Sequence, residues 1–309
     1  MKTYNSINSF LIKDKTIVTI GTFDGVHLGH RKILEKLKSR AKEGDLKSVV
    51  VTFFPHPRMV LQEKSEIKLL NTIDEKIILL ENLGIDHLII HPFDYEFSRL
   101  TAEDFVASIL VDKLNCKKIV IGYDHRFGRN RTADINDLIV FGNKYDFEVE
   151  QISVEEINEI AISSTKIRNC ILDGDINLAN QYLGYEYSFS GNVIKGKQLG
   201  RTIGFPTANI QIKEDYKLIP KKGVYIVKSL IENKLVYGMM NIGTRPTVEG
   251  ENQSLEVHFL DFNKDIYNQI IEVTPIHYVR DEVKFNSLED LKSQINKDQI
   301  FTNHYISLL

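Results

Sequence analysis

The chain has 309 residues, enough for two ordinary domains, and its 42% hydrophobic and 26% charged content excludes a disordered polymer. A formal charge of −3 gives no reason to expect a nucleic-acid partner. Two cysteines without C-x-x-C spacing exclude a disulfide framework and a cysteine-rich zinc site, and no apolar run resembles a secretion signal or a membrane span, so a cytoplasmic setting without a membrane partner is expected.

The first half alternates strand-like and helix-like segments. Short buried strands are predicted over 16–20, 48–53, 87–90, 118–121 and 147–152. Between them, residues 30–42 place Ile33, Leu34, Leu37 and Ala41 on one helical stripe. Residues 72–82 open with Thr72 and Glu75 at capping-box spacing and close before Gly84. Thr101 is a plausible N-cap for a helix over 101–114, and a further helix is predicted over 132–144. This alternation implies right-handed crossovers and a doubly wound parallel sheet, whose ligands bind beyond the carboxyl ends of the strands. Helices over 164–172 and 175–183 follow a stretch rich in hydroxyl and acidic residues. From Tyr185 the period changes: β-rich runs over 187–194, 223–230, 235–242, 255–262 and 269–279, separated by Gly, Asn and Pro, read as an all-β barrel or sandwich. Asn286 and Glu289 are expected to cap a last amphipathic helix carrying Leu288, Leu291 and Ile295. The domain boundary is expected near Gly184, giving domains 1–184 and 185–309.

Four segments of the first half fall where ligands are expected. Gly21, Thr22, Phe23, Asp24, His27, Gly29 and His30 lie where the first strand hands over to a helix. A helix N-terminus offers unpaired N–H groups to an anion, two imidazoles can donate to a phosphate, and Gly29 keeps the space between them clear. Phe53, Pro55, His56, Pro57 and Arg58 end the second strand; they read either as a wall for a planar ring with a phosphate contact or as a rigid turn. Asp124 and Phe127 follow the fourth strand, where Asp124 can hold a ribose hydroxyl or a metal-bound water. Ser164, Thr165 and Arg168 open a helix and suit either capping or a polyphosphate.

In the second half, residues 191–198 approach a phosphate-binding P-loop, but no hydroxyl residue follows Lys197 and no helix is expected there. Gly196, Gly200, Arg201 and Gly204 form a glycine-rich loop leading to Thr207 and Asn209, oxygen donors suited to a hard cation. Asn241 and Arg280 lie in two further β-rich segments. Strand alternation over 255–260 sets Glu256, His258 and Leu260 on one face; Glu256 reads either as a solvated carboxylate or as the best-placed candidate for a base.

His-x-Gly-His at 27–30 resembles a nucleotidyltransferase signature, and the four first-half segments occur in the order found in bacterial FAD synthetases. The segments around 196–209, 238–247 and 255–262, continued by Arg280, Lys284 and Phe285, resemble riboflavin kinase. From end to end, the chain resembles the bifunctional riboflavin kinase/FAD synthetase family. The resemblance implies phosphorylation of riboflavin to FMN and adenylylation of FMN to FAD, with ATP and Mg²⁺. It implies Glu256 as the kinase base and Thr207 and Asn209 as Mg²⁺–ATP ligands, with Gly196, Gly200 and Arg201 at the phosphates. His27, His30, Ser164, Thr165 and Arg168 would meet the phosphates of the transferase. Gly21, Thr22, Phe23, Asp24, Gly29 and Asp124 would complete its nucleotide site. Phe53, Pro55, His56, Pro57, Arg58, Phe127, Asn241 and Arg280 would line the flavin sites. Departures are Thr22, where the family usually has Asn, Asn268 after Asp265-Ile266-Tyr267, where it has Gly, and Ala133. A zinc hydrolase using Asp24, His27, His30 and His56, or a flavin-binding module without catalysis, are the competing readings.

Overall fold

The computed structural model describes residues 1–62, 65–123, 125–153, 162–196, 198–247 and 250–309. Packing divides the chain into two compact units, Met1–Ser164 and Thr165–Leu309.

The first unit contains strands β1 (Lys2–Tyr4), β2 (Thr16–Ile20), β3 (Lys47–Phe53), β4 (His87–His91), β5 (Cys116–Gly122) and β6 (Glu148–Ile152). Its helices are α1 (Leu28–Glu43), α2 (Pro57–Leu61), α3 (Ile73–Asn82), α4 (Tyr95–Ser98), α5 (Ala102–Phe105) and α6 (Ile135–Tyr145). The strands form one sheet in the order β1-β4-β3-β2-β5-β6, with every neighbouring pair parallel. Strand period explains how its two faces are filled. Val18, Val49, Val51, Ile119 and Ile121 point into one buried cluster with Phe105 and Leu110. Ile17, Val50, Leu88 and Val120 point into the other with Leu34, Leu37 and Leu80. Both faces are covered, so the strands read as continuous apolar runs.

The capping box that Thr72 and Glu75 imply is present: Glu75 N donates to Thr72 Oγ1 (3.2 Å) and Thr72 N to Glu75 Oε2 (3.0 Å). Thr101 caps α5, but the helix runs into a π-helical turn at Val106–Val111 rather than continuing as α-helix to 114. Asp134, not Thr132, caps α6 because its carboxylate accepts the N–H of Asn136. The three-residue edge strand β1 carries too little period to be read from sequence.

The second unit begins at Thr165, inside α7 (Ser164–Asp173), and continues with α8 (Ile176–Leu183), capped by Asp175. Then come β7 (Phe189–Ile194), α9 (Leu199–Thr202), β8 (Ala208–Gln211), β9 (Gly223–Ile231), β10 (Lys234–Thr247), β11 (Gly250–Phe259), β12 (Ile270–Arg280) and α10 (Leu288–Ile306). The strands close into an antiparallel barrel in the order β10-β11-β8-β7-β12-β9, which leaves no free sheet edge. Tyr187, Phe189, Tyr225, Met240, Val257 and Val273 are among its fully buried side chains. Ser287 caps α10, one residue after the expected Asn286, and accepts the N–H of Asp290 (3.1 Å). The buried residues of α10 are Asp298 and Thr302, while Leu288 of the expected apolar stripe is exposed.

Removing a capping hydroxyl typically costs about 1 kcal/mol. Thr72→Ala is expected to lower the stability of the first unit by about that amount, read as a lower urea midpoint with an unchanged slope.

Candidate active sites

In the first unit, strand order reverses on either side of β2: β3 and β4 lie one way, β5 and β6 the other. Crevices at such points bind ligands in open α/β sheets. The loop leaving β2 there is fixed at several places. Thr22 O accepts Lys76 Nζ (2.7 Å) and Thr52 Oγ1 (3.0 Å). Asp24 Oδ1 accepts the N–H of Leu70 (2.9 Å), and Ser164 Oγ donates to Asp24 O (2.9 Å). Arg31 Nε donates to Val26 O (3.3 Å). Phe23 and Val26 adopt positive φ (45° and 37°), a strained choice for side chains of that size; both are anchored in the core beneath α1.

His27 and His30 meet in a way that spacing alone did not reveal. His27 is the N-cap of α1: its Nδ1 accepts the N–H of His30 (3.3 Å). With Nδ1 accepting, the proton of a neutral His27 sits on Nε2. The two rings stack with centroids 3.7 Å apart and planes 17° apart, and the Phe23 ring meets His30 edge-on at 5.2 Å. His30 Nδ1 is buried without a hydrogen-bond partner. Burial first, then the neighbouring His27 and Lys76, hold the His30 pKa well below 6.5, so His30 is neutral at pH 7. A neutral imidazole keeps one N–H to donate. Gly29 is buried within the first turn of α1.

The segment after β3 also uses a histidine as a cap. His56 Nδ1 accepts the N–H of Arg58 (3.1 Å) with Pro57 at the first position of α2, and Arg58 is exposed. Phe53 belongs to an aromatic group that the sequence reading only began to assemble. Phe93 and Phe97 lie 5.6 and 5.5 Å from it, and His91 lies 4.6 Å from Phe97. Phe93 and Phe97 follow the carboxyl end of β4, so the strand-end rule applied to the other strands would have found them. Phe127 is buried, packs 6.1 Å from Phe105 and stacks with His125 at 6.0 Å. Asp124 lies outside the described residues. Ser164 closes the first unit, whereas Thr165, exposed, and Arg168, half-buried, belong by packing to the second. Lys76, buried at 3% exposure, is the residue of this site that the sequence reading missed.

In the second unit, strand register gathers the expected residues. Asn209 of β8 pairs with Glu256 of β11, and Glu256 pairs with Asn241 of β10. Directly paired residues share a face, so the three form one row across adjacent strands. Thr207 Oγ1 donates to Glu256 Oε2 (3.3 Å). Two glycines let the preceding loop fold close to this row. A Cβ at Gly196 would lie 2.4 Å from Asn209 Nδ2, and one at Gly200 would lie 2.2 Å from Phe205 O. His258 Nδ1 bonds Pro206 O (2.8 Å); a carbonyl only accepts, so Nδ1 carries the proton. Arg201 is exposed at the loop.

Arg280 is engaged elsewhere than an open flavin surface would require. Its Nε and Nη2 bond the Asp298 carboxylate at 3.0, 3.1 and 2.7 Å, and its Nη1 donates to Asp281 O. Asp298 also accepts Gln294 Nε2 (2.9 Å), so the guanidinium ties β12 to α10.

Among the described residues, no group of three or more His, Cys, Asp and Glu side chains is arranged to hold a metal ion. Asp24 Oδ1 and the Nδ1 atoms of His27 and His56 are already engaged, which weighs against the zinc hydrolase reading. Thr207, Asn209 and Glu256 offer oxygen donors in one place. That set suits Mg²⁺, which takes few protein ligands and completes its shell with phosphate oxygens and water.

Comparison with known proteins agrees with this division. The FAD synthetase family model matches residues 10–166, and the riboflavin kinase family model matches residues 183–306. A bifunctional riboflavin kinase/FMN adenylyltransferase of Buchnera aphidicola subsp. Schizaphis graminum is 41% identical over 302 residues, covering 96% of each chain. Its counterpart in Escherichia coli K12 is 38% identical, covering 94% of this chain and 93% of that one. A crystal structure described as a macrolide-efflux protein from Streptococcus pneumoniae superimposes with a TM-score of 0.88 at 31% identity, covering 97% and 98% of the two chains. No helix among the described residues is long and apolar enough to cross a membrane.

The lowered pKa of His30 carries a stability consequence. Between its ordinary value of 6.5 and its folded value, the unfolded chain binds a proton that the folded chain does not. The contribution of His30 to stability is therefore complete above pH 6.5 and lost as pH falls. The urea midpoint of the wild type should fall on mild acidification, and His30→Gln should flatten that dependence.

Proposed function

The chain belongs to the bifunctional riboflavin kinase/FMN adenylyltransferase family, and we propose how its residues divide the two reactions. It phosphorylates riboflavin to FMN with ATP and adenylylates FMN to FAD with release of pyrophosphate. Adenylyl transfer belongs to residues 1–184 and phosphorylation to residues 185–309. The substrates are ATP, riboflavin and FMN, and the setting is the cytoplasm.

In the kinase reaction, the riboflavin 5′-hydroxyl attacks the γ-phosphorus of ATP. The new O–P bond forms as the bond to the β-phosphate oxygen breaks, and ADP leaves with that electron pair. A hydroxyl is a weak nucleophile at neutral pH, so Glu256 accepts its proton. Thr207 orients the Glu256 carboxylate, and Thr207 and Asn209 would hold Mg²⁺, which would supply positive charge to offset that of the transferring phosphoryl group. Gly196 and Gly200 give the phosphates a close backbone approach, Arg201 adds a cation, and Asn241 faces the flavin. Arg280 supports the flavin side by holding α10 through Asp298.

In the transferase reaction, an FMN phosphate oxygen attacks the α-phosphorus of ATP, and the α–β bridging bond breaks. The nucleophile is already anionic, so no protein base is required. His27, through Nε2–H, and His30 donate to the reacting phosphates at the N-terminus of α1. Recognition of the nucleotide is assigned to Gly21, Thr22, Phe23, Asp24, Gly29 and Asp124, and of its triphosphate to Ser164, Thr165 and Arg168. Phe53, Pro55, His56, Pro57, Arg58 and Phe127 bound the flavin.

The observation that supports this reading most directly is the Asn209–Glu256–Asn241 row with Thr207 hydrogen-bonded to its centre. It stands within the second unit and shares no residue with the His27–His30 stack.

Chromatographic separation of riboflavin, FMN and FAD tests the division. Glu256→Gln should abolish FMN formation and spare conversion of FMN to FAD. His30→Ala should slow FAD formation by roughly a hundredfold and spare FMN formation. Loss of both activities from either substitution in folded protein would overturn the two-site reading, and unchanged riboflavin with the wild type would leave only a flavin-binding module.

A further inference from the structure

Lys76 is buried in the core-facing side of α3, yet its ammonium group reaches the loop that follows β2. An ion there is costly. Burial pushes the Lys76 pKa down to about 8, although the facing Asp24 carboxylate pulls it back up. A Met or Leu would fill the same space without that penalty, although it would also take the cation away from the buried Asp24 carboxylate. The carbonyl that Lys76 bonds is not orphaned without it, because Thr52 Oγ1 bonds the same Thr22 oxygen at 3.0 Å. Asp24 likewise keeps the Leu70 N–H. The fold therefore has other hydrogen bonds at both places, and the buried cation calls for a different explanation.

Its surroundings supply one. Lys76 is held against the Thr22 carbonyl and faces Asp24, both in the loop that leads into His27 and His30. It also acts electrostatically on His30, disfavouring the imidazolium. We propose that Lys76 is a positioning residue for adenylyl transfer: its buried ammonium fixes residues 22–24 against the sheet and adds positive potential to the triphosphate pocket. A preorganised cation beneath a polyphosphate site acts without reorganising when the ligand arrives. This inference rests on reading the first unit as the transferase.

Titration separates such a role from simple packing. The groups facing Lys76 are Asp24 from the loop and His30 from α1, with His27 stacked on His30; Asp74 and Glu75 lie on its own helix. Asp24 favours the charged amine, and His30 is neutral in the alkaline range. Protonated Lys76 is the working form, so kcat/KM for ATP, which reports the free enzyme, should fall as pH rises through about 8.

The experiment measures FMN-to-FAD conversion from neutral to alkaline pH in the wild type, Lys76→Met and Lys76→Arg, with riboflavin phosphorylation assayed in the same preparations. Lys76→Met should lower kcat/KM at neutral pH by roughly 10- to 100-fold and abolish the alkaline fall. Lys76→Arg should restore much of the rate and shift the fall beyond the measured range. Riboflavin phosphorylation should be unchanged in both variants. Wild-type kcat/KM in Lys76→Met would overturn the proposal. Should Lys76→Met fail to fold, an alkaline fall left unmoved in Lys76→Arg would overturn it equally. A wild type that makes no FAD at any pH would instead overturn the transferase reading itself.

Discussion

Between β2 and β5 the strand order reverses across the sheet, and in open α/β sheets ligands bind beyond the carboxyl ends of the strands at such a point. That topology decides where the chemistry of the first unit can lie, but it does not make a rigid site. Rigidity comes from the loop after β2, which is bonded from β3 through Thr52, from α3 through Lys76, from the segment before α3 through Leu70 and from Ser164. The strained backbone at Phe23 and Val26 persists because their side chains are locked in the core. The helix N-terminus that follows is capped from within the chain, His27 accepting the N–H of His30.

The second unit reaches a comparable rigidity by a different route. Closing six strands into a barrel fixes register, because slipping one pair would have to be matched around the ring. Register then determines which side chains meet. Asn209, Glu256 and Asn241 are far apart in sequence but occupy one line across three strands. The loop before β8 is shaped by close backbone approach at Gly196 and Gly200 and by the His258 bond to Pro206 O. The Arg280–Asp298 pair then anchors α10 to β12.

Local signals were legible where local interactions decide the structure. The Thr72–Glu75 capping box and the alternation along β11 formed as their residues imply, and the change of period near residue 185 marks the passage to the barrel. Signals failed where a side chain bonds to a distant part of the chain. His27 and His30 were legible as a pair, but not that one caps the other's N–H or that their rings stack. Lys76 sits at i+3 from Ile73 and i+4 before Leu80, on the stripe that faces the sheet. A lysine on an apolar stripe is a readable anomaly, but its partner, a main-chain oxygen 54 residues away, is visible only in three dimensions. Arg280 shows the converse: an arginine in a binding motif whose charge is spent on a buried aspartate that helical periodicity assigned no role.

Among the described residues, Lys76 and Thr52 grip residue 22 by its main chain, both donating to its carbonyl oxygen. Mutation at this position therefore changes the side chain without releasing the anchor. A substitution here exchanges a half-buried side chain while the carbonyl that fixes the backbone path keeps both of its donors.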